Sequence, residues 1–289
     1  MLNRRMGFAA AAIVFASTAA LADPVKIVAA ENFYGDIASQ IGGGEVAVTS
    51  ILTNPNQDPH LFEASTETAK ALANAKVVIA NGVDYDPWLE KLITANKAPG
   101  RQEIVVAALV GRRAGDNPHL WYDPAYMTAA ATAIAAALGK VDPAHKADYQ
   151  QREAAFVTSL APLKAEIAEM KAQFAGQPIT MSEPVFGYQA DLIGLKVRNQ
   201  GFALSVMNNT EPSPSQVAGF EDDLKKHRVK AMVFNAQASE PAVQRLVEIA
   251  KANRIPVVGV TETEPPGKTY QAWMLDQLNA LDRALSGGV

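Results

Sequence analysis

From Val25 onward the chain alternates short apolar runs with longer amphipathic ones, and it does so in two successive series. Apolar runs that lack strict alternation suit strands buried on both faces, the pattern of a parallel sheet covered by helices. In the first series, residues 25–29, 46–52, 77–80 and 104–109 read as strands, and 32–41, 65–75, 87–95 and 123–138 as helices. In the second, 179–181, 196–199, 231–234 and 256–260 read as strands, separated by helices over 186–193, 215–226, 241–252 and 270–285. Gly42-Gly43-Gly44 follows a helix instead of opening one, which makes it a cap and turn and not a phosphate loop.

Between the two series, apolar residues recur at Tyr149, Phe156, Leu160, Leu163, Ile167, Met170 and Phe174. Spacings of three, four and seven predict one helix, opened by Asp142 as cap and Pro143 at its first position. About 32 residues at 1.5 Å each give a rod of about 48 Å, which Pro162 should kink. The stripe is too short for a coiled coil. The expected fold is therefore α/β: two similar lobes, each a parallel four-stranded sheet with helices on both faces, joined by one long rigid helix. The expected boundaries are a signal peptide over 1–22, an N-terminal lobe over 23–141, the linking helix over 142–175 and a C-terminal lobe over 176–289.

The first 22 residues carry Arg4-Arg5, an apolar stretch from Gly7 to Ala16, and Ala20-Leu21-Ala22 before Asp23. That is the pattern of a cleaved secretory signal, and its apolar run is about half of the roughly 20 residues a bilayer span needs. No cysteine occurs anywhere, so disulfides, thiolate ligands and thiol nucleophiles are excluded, and no cysteine follows the cleavage site to carry a lipid. The expected location is the periplasm, without a membrane anchor. Loss of two arginines with the signal takes the formal charge from -4 to about -6. A mildly acidic surface argues against nucleic acid as a partner.

Only four histidines are present, and two sit in nearly the same tripeptide, Asp58-Pro59-His60 and Asn117-Pro118-His119. Proline stiffens each turn, and rigid presentation of imidazole suits a metal ligand. Ligands of open α/β sheets bind beyond the carboxyl ends of the strands. His60 follows the second strand and His119 the fourth, while Glu183 and Glu262 follow the first and last strands of the second series. Two imidazoles and two carboxylates could hold zinc, manganese or iron. Against this stand two chance surface turns, a glutamate that merely favours a helix start, and Glu264 competing with Glu262. His145 and His227, at helix ends, read as surface residues, whereas Asn117, Asp123 and Asn235 are candidates to orient the imidazoles.

Asp58-Pro59-His60, the run from Asn117 to Pro124, Phe186-Gly187-Tyr188 with Gly194-Leu195, Glu211-Pro212-Ser213, and Thr261-Glu262-Thr263 with the run from Tyr270 to Met274 resemble the solute-binding proteins of zinc and manganese ABC transporters, the cluster A-I family. The resemblance covers essentially all of the chain past the signal. It implies two α/β lobes on a rigid helix and one metal ion at the interlobe cleft, held by His60, His119, Glu183 and Glu262. It also implies a monomer that delivers the ion, as transported ligand, to a permease of the inner membrane. Zinc-type members usually carry histidine where Glu183 stands, together with a mobile His- and acid-rich loop that this chain lacks. Manganese and iron types match Glu183 better, although their fourth acid is commonly Asp. Oxygen-rich ligation suits manganese, so the expected order is manganese ahead of zinc and ferrous iron. The alternatives are a periplasmic zinc-dependent metalloenzyme and a metal-containing adhesion or scaffold protein. Four side-chain ligands leave no open position for catalysis, and no His-Glu-x-x-His or Gly-x-Ser-x-Gly motif occurs, which favours a carrier over an enzyme.

Overall fold

The computed structural model describes residues 23–55, 62–238 and 240–287. The signal segment 1–22 and the Asp58-Pro59-His60 turn lie outside the described residues. The first half contains β1 (Val25–Glu31), α1 (Asn32–Gly42), β2 (Val46–Leu52), α2 (Thr66–Asn74), β3 (Val77–Ala80), α3 (Pro87–Ala95), β4 (Gln102–Val105), α4 (Val106–Leu109) and α5 (Pro124–Val141). Then come α6 (Lys146–Ser159) and α7 (Ala161–Phe174). The second half contains β5 (Pro178–Met181), α8 (Gly187–Ile193), β6 (Lys196–Arg198), α9 (Gln200–Met207), α10 (Pro214–Lys225), β7 (Met232–Asn235), α11 (Pro241–Ala252), β8 (Val257–Val260) and α12 (Tyr270–Leu285).

Both sheets are four-stranded and parallel, with orders β2-β1-β3-β4 and β6-β5-β7-β8. Alternate residues of β1 and β3 point to opposite faces. Ile27, Ala29, Val77 and Ile79 enter one core, while Val28, Ala30, Val78 and Ala80 enter another beneath Leu72 of α2 and Leu89 of α3. That is why the inner strands are apolar throughout. The first core also contains Ile179, Met181, Val233, Val258 and Val260 of the second sheet, so a single apolar interior runs through both lobes.

The helix termini follow local chemistry. Ser65 and Ser213 each form a capping box, with Thr68 and Gln216 respectively, and Gly194 at φ 80° ends α8 in the left-handed conformation. The expected single helix over 142–174 is instead α6 and α7, meeting at Leu160, with a separate 3-10 turn over Pro143–His145. Pro162 is the cause: it offers no N–H to Thr158, and its ring crowds that carbonyl. The expected apolar stripe survives the break, since all seven of its residues are buried. The strand expected over 104–109 ends at Val105, and α4 takes its remaining residues. α9 was not anticipated, because Phe202, Ala203 and Val206 show no strong periodicity over eight residues.

Aromatic rings close the seam between the lobes. Phe33 stacks on Trp121 at 4.4 Å and 29°, and Trp273 from α12 approaches Phe33 at 6.0 Å and Tyr122 at 6.3 Å. The two lobes should therefore unfold in one transition. Trp273→Ala should cost about 3–5 kcal/mol while leaving that transition single. Two resolved heat-absorption peaks in calorimetry of the wild-type protein would contradict a shared core.

Candidate metal centre

His119 leaves the β4–α5 connection just before a 3-10 turn over Leu120–Tyr122, whose three side chains are all fully buried. Packing of Trp121 and Tyr122 fixes where the preceding imidazole can lie. The backbone N–H of His119 donates to Asn117 Oδ1 at 3.2 Å, and its ring Nδ1 lies 2.6 Å from the same oxygen. Asn117 Nδ2 donates to the carbonyl of Pro184 at 2.8 Å. A backbone N–H can only donate and a carbonyl can only accept, so the orientation of the Asn117 amide is settled from both ends. Nδ1 of His119 must then carry the proton. In the neutral ring Nε2 is then the nitrogen without a proton, and it faces Glu262 Oε2 at 3.2 Å.

Glu183 follows β5 and Glu262 follows β8, both at strand carboxyl ends, and both are buried. His119, Glu183 and Glu262 each offer one ligand atom, and these atoms lie within 4.8 Å of one another. Two ligands each about 2.1 Å from one ion sit roughly 3.0–3.5 Å apart, so the 3.2 Å between Nε2 and Oε2 has the dimension of a coordination shell. Asn235, at the end of β7, donates to both carboxylates, at 2.7 Å to Glu183 Oε2 and 2.6 Å to Glu262 Oε1. Tyr85 donates to Glu262 Oε2 at 2.9 Å. Burial, then the Glu262 charge, holds the Tyr85 phenol well above its ordinary pKa, so it stays a donor. Gln237 Oε1 accepts from the backbone N–H of Glu262 at 2.6 Å and of Thr263 at 3.0 Å, fixing the loop that carries the second carboxylate.

That loop is also fastened to lobe one. Asn32 brackets the Glu264 backbone, accepting its N–H at 3.0 Å and donating to its carbonyl at 2.7 Å, and Tyr122 donates to the Thr261 carbonyl at 2.7 Å. Tyr85 itself follows a run of positive φ at Gly82, Val83 and Asp84. A β-branched residue at φ 57° is strained, and Asp86 holds the turn by accepting from Asn81 N and Gly82 N. Burial pushes the Asp86 carboxyl up to about 6 in spite of those two donors.

Of the four residues singled out in the sequence, the structure brings His119, Glu183 and Glu262 together, and His60 lies outside the described residues. Glu264 is not part of the cluster. Its Oε2 has no hydrogen-bond partner among the described residues, and burial followed by the Asp36 charge pushes the carboxyl up to about 9. His227 is exposed, and His145 is partly exposed beside Asp142 at 2.7 Å, as expected of surface residues. Asn117 serves the imidazole, but Asn235 serves the carboxylates, and Asp123 caps α5 through Ala125 N at 2.8 Å instead of orienting a histidine. Tyr85 and Gln237 were missed, because nothing in their local sequence marks them: they reach the site only through folding.

The family described as "ZnuA: Zinc-uptake complex component A periplasmic" matches residues 27–284. The chain belongs to that family. It is thus a metal-binding substrate-binding protein of cluster A-I, the class that serves metal uptake by ABC transporters. It is 24% identical over 281 residues to the "Manganese-binding lipoprotein MntA" of Bacillus subtilis (strain 168), covering 90% of each chain. It is 24% identical over 289 residues to the "Iron ABC transporter substrate-binding lipoprotein MtsA" of Streptococcus pyogenes serotype M1, covering 90% of this chain and 89% of the relative. The solved periplasmic zinc binding protein TroA from Treponema pallidum has the same fold, with a TM-score of 0.77 at 19% identity over 91% of this chain and 99% of that one. These three names carry three different metals.

Glu264 gives a test of the pH dependence. The folded chain keeps its proton up to about pH 9, whereas an exposed carboxyl releases it near 4.5. Its share of stability is therefore full below about 4.5 and falls as pH rises toward 9. Glu264→Gln should raise the unfolding midpoint of the chelator-treated protein at pH 8 and leave it almost unchanged at pH 4. An equal gain at both values would show that the carboxyl is not held protonated.

Proposed function

We propose that this protein captures one divalent transition-metal ion in the periplasm, at the interlobe cleft, and delivers it to an ABC permease of the inner membrane. His119, Glu183 and Glu262 are ligands in this reading, with His60 as the fourth on the sequence argument. The supporting observation is that His119 Nε2 and the Glu262 carboxylate face each other at 3.2 Å in a buried cleft, with Glu183 beside them. Two acceptors turned toward each other repel unless a cation or a shared proton lies between them. Asn235 relieves part of the repulsion between the carboxylates, and a divalent ion would supply the rest.

Manganese is the favoured cargo, ahead of zinc and ferrous iron, because two carboxylates make the donor set harder than one rich in imidazole. Relatives named for manganese, iron and zinc are consistent with a site whose selectivity is adjusted ligand by ligand. Carriage is preferred over catalysis because four protein ligands close the shell that a catalytic zinc keeps open. The protein acts as a monomer, and its acidic charge fits transport of a cation instead of contact with nucleic acid.

Binding needs the neutral imidazole and ionised carboxylates, so affinity should fall as pH drops below about 6. Competitive titration at pH 5 and pH 8 with the same affinity would refute that. His119→Ala should weaken binding by at least about 100-fold by calorimetry, whereas His145→Ala should not change it. Glu183→His should tilt preference from manganese toward zinc, and an unaltered ranking would remove the case for selectivity at this position.

A further inference from the structure

Asn117 does more than orient one ring. Its Oδ1 takes the Nδ1–H of His119 in lobe one, while its Nδ2 donates to Pro184 O, one residue past Glu183 in lobe two. Its backbone carbonyl accepts from Tyr188 of α8 at 2.7 Å. Arg112 lies beside the edge-on pair of Tyr126 and Tyr188, 5.6 and 5.2 Å from their ring centres, and donates to the Tyr126 hydroxyl at 3.0 and 2.6 Å. The Asn117 turn is thus held by side chain and main chain together. A separate observation shows that space is reserved for the amide: a Cβ placed on Gly187 would meet Asn117 Nδ2 at 2.7 Å. Gly187 has helical dihedrals, φ -56° and ψ -48°, so its backbone would accept alanine. A Cβ there would instead have to displace the Asn117 amide.

We propose that Asn117 is a positioning residue that, through one amide, holds the proton of neutral His119 on Nδ1, turns Nε2 toward the carboxylates and keeps that ring in register with the Glu183 turn of the opposite lobe. The proposal deepens the metal-capture reading and rests on it for the affinity effects alone. This one amide ties the ring of the lobe-one donor to the turn that carries a lobe-two carboxylate. Cutting it frees the ring to rotate and to exchange its proton between nitrogens, so fewer molecules present a usable lone pair.

The test uses nitrogen-15 spectra of histidine side chains in the metal-free full chain, together with manganese and zinc affinities. In wild type, His119 should show one neutral tautomer, protonated at Nδ1. Asn117→Ala should mix the tautomers and lower affinity about 10- to 100-fold. Asn117→Asp keeps an acceptor for Nδ1–H and should restore the single tautomer with part of the affinity. Gly187→Ala should reproduce much of the Asn117→Ala loss by expelling the amide, and the double variant should lose little more than either single one. If Asn117→Ala does not fold by circular dichroism, Gly187→Ala and Asn117→Asp still decide the matter. A retained Nδ1–H tautomer with wild-type affinity in Asn117→Ala or Gly187→Ala, or losses that add in full, would overturn the proposal. If wild type binds no divalent ion, the transport reading fails, while the tautomer comparison still decides the role of Asn117.

Discussion

The buried aromatic seam between the lobes is what the cleft depends on. Phe33 and Trp121 stack at 4.4 Å, Trp273 closes on them from α12, and Phe186 meets Tyr122 edge-on at 5.8 Å. Apolar side chains on the inner faces of both sheets continue into this seam. An interior shared in this way cannot be parted without exposing large rings to water, each exposure costing a few kcal/mol. α6 and α7, buried along the same interior, fix the lobes further. Any movement linked to cargo must therefore be small and local, in loops and side chains instead of a wide hinge.

A rigid seam allows the chemistry of the cleft to be set in advance. Glu262 is tied through its backbone to Gln237, through its neighbours to Asn32 and Tyr122, and through its carboxylate to Tyr85 and Asn235. His119 is tied through Asn117 and by packing of its neighbours Leu120 and Trp121. Two carboxylates brought together under such constraint repel one another, and the donors Asn235 and Tyr85 offset part of that repulsion. A cation entering such a site finds ligands already spaced for coordination, so little of its binding energy is spent on ordering them. The strained turn before Tyr85 belongs to the same arrangement, since Asp86 and the surrounding core hold Val83 in a conformation it would not adopt alone.

Much of the fold was legible because the signals were local. Val46–Leu52, Val77–Ala80, Pro87–Ala95, Pro241–Ala252 and Tyr270–Leu285 have the bounds their apolar patterns predict. Capping by Ser65 follows from one side chain and the residue three places on. The pattern misled where a second force competed with it. Ile104 to Leu109 is apolar throughout, but the sheet offers a partner only as far as Val105, and the chain then winds into α4. Pro162 was legible as a kink, yet its effect extends to dividing the helix at Leu160.

By itself the sequence determined the alternation that makes two parallel sheets, the strand ends that Glu183 and Glu262 follow, the Asn-Pro-His turn that presents His119, and the absence of any thiol ligand. These are properties of single residues and short windows, where periodicity, proline and chain direction act without reference to distant parts of the chain. Tertiary structure alone decided that Glu262 and not Glu264 joins the cluster, that Asn235 bridges the two carboxylates, that Tyr85 reaches Glu262 from 177 positions away, and that Asn117 spans the lobes. Each of these depends on which side chains meet across the seam. That is set by the packing of two cores into one, and no window of sequence encodes it.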